Sequence, residues 1–250
     1  MVDILLAGAL GKMGRVVGQC VSEREDCRIA AGIDIAKSAE GLPFPLYRSI
    51  GECPLEGDVI VDFSHPSLLG EILRFAREKK VPAVICTTGL SPEQVSEIRE
   101  SAKEVPIFFS ANMSLGINLL SALAKKAVQV LGGQFDIEIV EKHHNQKVDA
   151  PSGTALMLAD AINETAGGRY EYVYDRHSVR QKRGKEELGI HSVRGGTIVG
   201  EHEVIFAGRD EVLTLRHSAA SKEVFAVGAV NAAVFLAGQK PGLYDMASLL

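Results

Sequence analysis

Residues 2–14 have the sequence VDILLAGALGKMG, in which a strand-like apolar run ends in a glycine-rich turn. The run from Ile4 to Ala7 predicts a β-strand, and the glycines at positions 8, 11 and 14 permit a tight connection to a helix. Such a turn lets backbone N–H groups approach a pyrophosphate that lies on the helix N-terminus. The spacing departs from the common G-x-G-x-x-G because position 9 is alanine. The turn alone is therefore weak evidence for dinucleotide binding, and the flanking sequence must show whether such a site is present.

Beyond this turn, strand-like and helical stretches alternate along the first half of the chain. This alternation is typical of a Rossmann-like, doubly wound parallel sheet with helices on both faces, hence of an α/β domain. We expect strands at 4–7, 28–33, 59–63, 81–87 and 106–109, and helices at 14–24, 67–80 and 91–104.

The pattern changes after Ser110. A long helix is expected at 114–130, and another begins at Ser152. Strand candidates that follow one another directly favour a mixed or mainly antiparallel sheet, hence a second domain of the α+β type. A polar stretch at 167–188 has no clear period, and the chain ends with an alanine-rich helix at 222–237 and a short tail. The strand candidates of this half are 135–141, 189–193, 197–207 and 212–217.

The composition is that of an ordinary globular protein, with 24 % charged and 46 % hydrophobic residues. The net charge of −5 disfavours a general role on nucleic acid or on membrane surfaces. No apolar run reaches the roughly 18 residues of a membrane helix. The four cysteines have no metal-ligand spacing, and no basic leader precedes the first strand. We therefore expect a cytoplasmic protein with reduced thiols and no metal.

An acidic residue lies where a dinucleotide-binding domain needs one. Asp34 ends the second predicted strand, 20 residues after Gly14, where a carboxylate would bind the adenosine ribose hydroxyls. Its charge favours NAD, because it would repel a 2′-phosphate. That preference is weakened by three cationic residues that lie near in the sequence, so use of both nucleotides stays open. They are Lys12, Arg15 and Lys37.

Three further predicted strands end in polar residues. The carboxyl ends of parallel strands form the ligand-binding edge of a doubly wound sheet. Each of these segments alone would be an ordinary cap or turn, but together with the first turn they favour a cofactor cleft. The segments are Asp62-Phe63-Ser64, Thr87-Thr88-Gly89 and Ser110-Ala111-Asn112-Met113-Ser114.

A second group of candidate residues precedes the helix predicted at Ser152. His143 and His144 carry imidazoles, which exchange protons near neutral pH, and Lys147 adds an ammonium group. The turn Pro151-Ser152-Gly153-Thr154 opens a helix whose free N–H groups suit a carboxylate or phosphate. Adjacent histidines on a strand point to opposite faces, so we expect no shared metal. The segment predicts proton transfer to a small acidic molecule.

The chain resembles the 4-hydroxy-tetrahydrodipicolinate (dihydrodipicolinate) reductase family through the sequence EKHHNQKVDAPSGTA at 141–155. The resemblance extends over nearly the full chain. It implies NADH- and/or NADPH-dependent reduction of 4-hydroxy-2,3,4,5-tetrahydrodipicolinate, a cyclic dicarboxylate, with loss of water, in the diaminopimelate route to lysine. Further matching motifs lie at 8–14, 87–89, 111–118, 194–202 and 242–246.

The resemblance also implies a homotetramer of two-domain subunits. Residues 1–113 and 222–250 would form a discontinuous dinucleotide-binding domain, and residues 114–221 the substrate-binding and oligomerisation domain. By motif match, His143 would be the general acid/base, and Lys147 a proton donor that stabilises developing negative charge.

The remaining site residues are carried over in the same way. The substrate carboxylates would be held by His144, Ser152, Gly153 and Thr154. The cofactor would be bound by Gly8, Ala9, Leu10, Gly11, Lys12, Met13, Asp34, Phe63, Cys86, Thr87, Thr88, Ser110, Ala111, Asn112 and Met113.

Two positions depart from the family pattern. Ile35 stands where many relatives carry an arginine that suits a 2′-phosphate, so NADPH use would need Lys37 or Arg15 as a substitute. Cys86 replaces the first glycine of a common Gly-Thr-Thr-Gly strand end, a small change that should not block the cofactor.

Two other classes compete with the reductase. A dinucleotide-sensing regulatory or binding protein on the same fold would not need His143 and Lys147, which are both present. The other class is a different nicotinamide dehydrogenase, such as a semialdehyde or hydroxy-acid enzyme. The semialdehyde type would need a cysteine nucleophile in a catalytic loop, and none of the four cysteines is placed for that role.

Overall fold

The chain forms two compact units. The computed structural model describes residues 1–35, 41–54, 56–110 and 112–249. The first unit contains Met1–Leu115 together with Glu223–Leu250, and the second contains Gly116–Lys222. The C-terminal helix therefore belongs to the same unit as the N-terminus.

Strands and helices make up most of the described residues. The strands, in chain order, are β1 (Val2–Ala7), β2 (Cys27–Ile33), β3 (Leu46–Tyr47), β4 (Val59–Asp62), β5 (Ala83–Ile85), β6 (Pro106–Phe109), β7 (Asp136–His143), β8 (Glu171–Val173), β9 (Glu187–Arg194), β10 (Gly200–Ala207), β11 (Val212–Ala219) and β12 (Gly242–Tyr244). The helices are α1 (Lys12–Ser22), α2 (Leu69–Lys79), α3 (Pro92–Ser101), α4 (Leu115–Leu131), α5 (Gly153–Thr165) and α6 (Glu223–Leu236). Short 3₁₀ turns lie at Ile50–Glu52, Pro66–Leu68, Gly132–Gln134 and Met246–Leu249.

The first unit is built on a seven-stranded sheet whose strands all run parallel to their neighbours. The strand order is β12-β6-β5-β4-β1-β2-β3. The order therefore reverses between β1 and β4, which is the point where doubly wound sheets bind their ligands. The predicted Rossmann-like parallel sheet is confirmed.

Both faces of this sheet are covered, so its central strands are continuously apolar. In β1, Ile4 and Leu6 lie in one hydrophobic cluster with residues of α1 and α6, while Leu5 and Ala7 lie in another with residues of α2 and α3. The alternation of side chains along a strand explains this division, because successive residues point to opposite faces.

The second unit contains a five-stranded sheet with the order β11-β10-β7-β9-β8. The strand β10 runs antiparallel to β7 and β11, whereas β9 runs parallel to β7 and β8. The predicted mixed sheet is thus confirmed. Ile137 and Ile139 of β7 are completely buried in one cluster with Leu158 and Ile162 of α5, which covers this face of the sheet.

Several boundaries differ from the sequence expectations, and the strand β3 was not predicted. The stretch 167–188 contains β8, and the tail contains β12, which joins the edge of the first sheet. Three residues are too few to display a period of two, so the sequence pattern does not indicate either strand. The strand expected at 197–207 begins only at Gly200, because a turn at Gly196 and Thr197 and two irregular residues precede it.

Two structural findings concern membranes and metals. Among the described residues, no helix combines the length and hydropathy required to cross a bilayer. Within those same ranges, no group of three or more His, Cys, Asp and Glu side chains is arranged to hold a metal ion. No disulfide joins Cys20, Cys27, Cys53 and Cys86, all of which lie within the described ranges.

Candidate active site

The glycine-rich turn packs tightly against the end of β4. Gly8 has a φ of +76°, and a Cβ at this position would lie 2.5 Å from the carbonyl oxygen of Phe63. A Cβ on Gly14 would strike the carbonyl oxygen of Gly8. Only glycine satisfies both constraints, since it adopts positive φ readily and has no side chain to collide. The turn therefore brings bare backbone to the switch point between β1 and β4.

The N-terminus of α1 suits an anionic group. Gly11 is the N-cap residue, and within the described residues no side chain caps this end of the helix. Gly11 and Lys12 are exposed, so the first N–H groups of the helix are accessible to a ligand. Asp34 lies beside the turn, where its carboxylate accepts a hydrogen bond from the N–H of Leu10 at 2.9 Å. Backbone donors and a nearby carboxylate fit a dinucleotide pyrophosphate and its ribose.

A buried carboxylate links the ends of β4 and β5. Asp62 is fully buried, and it accepts hydrogen bonds from the Ser64 N–H (2.9 Å), the Ser64 hydroxyl (2.5 Å) and the Thr87 hydroxyl (2.7 Å). Burial raises the pKa of Asp62, and the hydrogen bonds from Ser64 and Thr87 oppose that rise. The structure thus brings together two of the polar segments expected at this edge.

The other residues predicted to bind the cofactor lie at the ends of strands in the same unit. Burial raises the pKa of the Cys86 thiol well above its ordinary value, which disfavours a nucleophilic thiolate. The Ser110 hydroxyl donates to the carbonyl of Asn112 at 3.1 Å. Ala9 and Met113 are buried in the hydrophobic core, Leu10, Met13 and Phe63 are partly buried, Thr88 is exposed, and Ala111 lies outside the described residues.

In the second unit, Glu141 is the centre of a buried polar cluster. Its side chain is 0 % exposed, although it carries a carboxylate. The Arg194 guanidinium donates to both carboxylate oxygens, at 2.7 and 2.6 Å. The same carboxylate lies 2.6 Å from Nδ1 of His143 and accepts the backbone N–H of Ser152 at 3.1 Å. Three elements of the second unit therefore converge on this one side chain.

The contacts of Glu141 decide its ionisation. Burial raises its pKa, but hydrogen bonds from Arg194, Ser192 and His143 outweigh burial and lower the pKa to about 2. An ionised carboxylate accepts hydrogen bonds and cannot donate them, so Nδ1 of His143 must carry a proton. The other ring nitrogen, Nε2, faces the backbone of Gly200, where a Cβ would lie 3.1 Å away. The small size of Gly200 thus leaves room beside Nε2.

The helix α5 begins at the predicted turn. The Ser152 hydroxyl accepts the N–H of Ala155 at 3.1 Å, which is the usual contact of an N-cap serine. It also lies 3.0 Å from Nε2 of His202. Burial, followed by the nearby charge of His143, lowers the pKa of His202 to about 4, so this imidazole is neutral at pH 7. Gly153 is exposed, and Thr154 is partly buried in the first turn.

The loop between β7 and α5 holds Lys147. Its Nζ lies 2.7 Å from the carboxylate of Asp149. The pKa of Asp149 is lowered, chiefly by the hydrogen bond from Lys147, and the N–H of Gly153 also donates to it. Arg194 donates to the carbonyl of Asp149 at 2.7 Å. The N–H of Lys147 donates to the carbonyl of His144, which is partly buried, so both predicted residues belong to the same loop.

Three residues of this cluster are missing from the sequence-based site. Glu141 enters the sequence interpretation only within the motif at 141–155, and Arg194 and His202 only within the motif at 194–202. The structure places Arg194 on β9 and His202 on β10. The strand register explains their positions, because Arg194 pairs with His143 across β7 and β9, and His202 pairs with Glu141 across β7 and β10. The ring centroids of His143 and His202 lie 5.2 Å apart. Alternation along Glu141-Lys142-His143 is a signal that could have indicated Glu141, since it places Glu141 and His143 on the same face of the strand.

The fold and these residues define a class of protein, the α/β oxidoreductases with a Rossmann-like dinucleotide-binding unit. Comparison with known proteins narrows the class. The model of the dihydrodipicolinate reductase N-terminus matches residues 2–113, and that of the C-terminus matches residues 116–250. The chain belongs to the dihydrodipicolinate reductase family.

Individual relatives agree with this family. A 4-hydroxy-tetrahydrodipicolinate reductase from Caldanaerobacter subterraneus subsp. tengcongensis is 53 % identical over 250 residues, which cover 100 % of this chain and 98 % of the relative. One from Clostridium tetani is 49 % identical, with 100 % and 97 % covered. A solved dihydrodipicolinate reductase from Paenisporosarcina sp. TG-14, with dipicolinate bound, superposes with a TM-score of 0.84 at 25 % identity, covering 100 % of both chains. Membership of this family implies a pyridine nucleotide cofactor.

Proposed function

We propose that this protein reduces 4-hydroxy-2,3,4,5-tetrahydrodipicolinate to 2,3,4,5-tetrahydrodipicolinate, with loss of water, in the diaminopimelate route to lysine. The observation that carries the proposal is the buried contact of Glu141 with both His143 and Ser152. The Glu141 carboxylate thus contacts both the imidazole proposed to transfer a proton and the N-terminus of the helix α5. A cyclic dicarboxylate needs both, an anion site to hold it and a proton to complete its reduction.

The contacts of each residue support its proposed chemical role. His143 transfers a proton through Nε2, because Nδ1–H is engaged with Glu141. Lys147 leaves its ion pair with Asp149 to bind the substrate, and it then supplies a positive charge and a proton. The substrate carboxylates bind to His144 and to the helix start formed by Ser152, Gly153 and Thr154, where N–H groups and hydroxyls favour anions.

The first unit provides the cofactor site of the proposed enzyme. The turn formed by residues 8–13 would hold the pyrophosphate, and Asp34 the adenosine ribose. The strand ends at Phe63, at 86–88 and at 110–113 would complete the site. When bound, a reduced nicotinamide supplies the hydride of the reaction.

The charges beside Asp34 bear on whether the protein uses NADH, NADPH or both. Its carboxylate disfavours a 2′-phosphate, and Ile35, which is 74 % exposed, adds no compensating charge. Arg15 Nε donates to the carbonyl of Leu10 at 3.1 Å, so this cation lies beside the same turn and keeps NADPH use open. Lys37 lies outside the described residues. Rates measured with both nucleotides in one assay decide between them.

The direct test is nucleotide oxidation that depends on freshly made 4-hydroxy-tetrahydrodipicolinate. We expect turnover with the intact protein, a severe loss in His143→Ala and in Lys147→Ala, and nearly intact NADH binding in both variants. Unchanged turnover in both would overturn the roles of His143 and Lys147. Nucleotide binding without any substrate-dependent oxidation would instead support a dinucleotide-sensing protein.

Two further properties rest on the family resemblance alone. The homotetramer is a proposal that analytical ultracentrifugation tests, because a subunit of 26.8 kDa would sediment as a particle four times that mass. The cytoplasmic location is likewise a proposal, which fractionation of the source cells tests.

A further inference from the structure

One side chain of the second unit contacts both parts of the proposed substrate site. Glu141 binds the proton-transferring His143 at 2.6 Å and the N–H of Ser152 at 3.1 Å. Ser152 is the N-cap of α5, the helix proposed to hold the substrate carboxylates. A shift of this carboxylate would therefore move the proton donor and the anion site together.

We infer that Glu141 is the positioning residue of this site, an inference that rests on the proposed function. It selects the tautomer of His143 that carries the Nδ1 proton, which leaves Nε2 for proton transfer. It also sets the position of the α5 N-terminus relative to that imidazole. Glu141 acts through His143 and Ser152, as a carboxylate that orients a catalytic histidine does.

Only an ionised carboxylate meets the demands of this position. Its neighbours offer two N–H groups of Arg194, the ring N–H of His143 and the backbone N–H of Ser152. A glutamine would turn one N–H₂ group toward these donors and leave at least one of them without an acceptor. Arg194 provides the compensating charge, and its bond to the Asp149 carbonyl connects the cluster with the loop of Lys147.

The surroundings of His143 restrict proton transfer to Nε2. The residue is 9 % exposed, and the Nδ1 side of its ring is closed by Glu141. His202 meets the ring edge-on at a centroid distance of 5.2 Å. On the Nε2 side, the nearest strand contributes Gly200, which has no side chain. The cluster therefore closes one ring nitrogen and leaves space at the other.

The kinetic test compares Glu141→Gln with Glu138→Gln, the same substitution on the same strand. Glu138 also binds a histidine and arginines, but it is no part of the proposed site. We expect kcat to fall roughly 100-fold or more in Glu141→Gln, because general acid–base catalysis contributes about 10²–10⁴-fold. The KM for the nucleotide should stay unchanged, since its site lies in the first unit. Glu138→Gln should keep the wild-type kcat.

The spectroscopic test uses protein labelled with ¹⁵N-histidine, in which His143→Asn assigns the resonances. At a pH where His143 is neutral, its imidazole should carry the proton on Nδ1 in the wild type, and Glu141→Gln should lose this preference. Merely structural damage would not change the tautomer selectively.

The results separate the positioning role from the proposed function. A wild-type kcat in folded Glu141→Gln, or a wild-type His143 with its proton on Nε2, would overturn the role of Glu141. If Glu141→Gln fails to fold, the tautomer in the wild-type protein decides. A wild-type protein that shows the Nδ1 tautomer but no turnover of 4-hydroxy-tetrahydrodipicolinate would overturn the proposed function and leave the contact of Glu141 intact.

Discussion

Two clusters on the strand β7 contain the same chemical groups in different surroundings. Glu141 binds His143 and Arg194, whereas Glu138 binds His191 at 2.8 Å and arginines 176 and 183, each at 2.9 Å. The two carboxylates are three residues apart and therefore point to opposite faces of the sheet. Glu141 is 0 % exposed beneath α5, and Glu138 is 21 % exposed.

The comparison shows that residue types alone do not make a site. Both glutamates have a lowered pKa, because hydrogen bonds from their basic neighbours outweigh burial. Of the two, the buried one also holds the N-terminus of a helix, through Ser152. The side chain of His143 is 11 % exposed, while that of His191 is 37 % exposed. Burial and the contact with α5 therefore distinguish the candidate catalytic cluster around Glu141 from the ion-pair network around Glu138.

The largest expected effect distinguishes the two histidines. His143→Asn should lower kcat by roughly 10²–10⁴-fold, because it removes the proposed general acid. His191→Asn removes the corresponding imidazole from the exposed cluster and should leave kcat near the wild-type value. Steady-state kinetics with both variants provide the measurement. Equal losses in the two would show that the buried cluster has no special chemical role.

A second comparison concerns the arginines. Arg194→Met removes both hydrogen bonds that Arg194 makes to the buried carboxylate of Glu141, so we expect a loss of about 3–5 kcal/mol in the free energy of unfolding. Arg176→Met leaves Glu138 paired with Arg183 near the surface and should cost about 1 kcal/mol or less. Urea unfolding of both variants measures the difference. Similar losses in the two variants would show that the burial of Glu141 does not make its pair with Arg194 more costly to break.

The third prediction uses His202, which lies in register with Glu141. Its pKa is about 4 in the folded protein and about 6.5 in an unfolded chain, so the unfolded state binds the extra proton between these values. Stability should therefore fall as the pH is lowered through this window, by up to about 1.4 kcal/mol per pH unit. His202→Asn should show a shallower decline. His177→Asn, which removes an exposed imidazole, is the control; identical slopes for His202→Asn and wild type would refute the prediction.

A feature could be predicted where its residues are close together in the sequence, and not where strand pairing brings distant residues together. The parallel sheet and the turn at residues 8–14 were predictable, because the run of β1 and the glycines are contiguous in the sequence. The His143–Thr154 segment was recognisable for the same reason. Arg194 and His202 lie in a matching motif, but their position beside Glu141 was not predictable, because strand register brings them there and Arg194 is 53 residues away along the chain. The bond between Asp62 and Thr87 likewise depends on neighbouring strands that are 25 residues apart.

The smallest expected effect concerns the carboxylate of Asp149. It binds Lys147 Nζ at 2.7 Å and also accepts the N–H of Gly153, so it engages donors that the proposed substrate carboxylates would need. Because its side chain is 51 % exposed, the pair contributes only about 0.2–1 kcal/mol. Asp149→Asn should therefore lower the KM for the dicarboxylate by at most roughly fivefold, with little change in kcat.

The matched control for Asp149→Asn is Asp160→Asn on the exposed side of α5, where the carboxylate accepts from Tyr172 and touches none of these donors. It should leave the KM for the substrate unchanged. A KM that rises in Asp149→Asn would mean that the carboxylate orients Lys147 for the substrate and does not compete with it. The loop would then act with Glu141 as part of one preorganised support, a feature that the exposed cluster around Glu138 lacks.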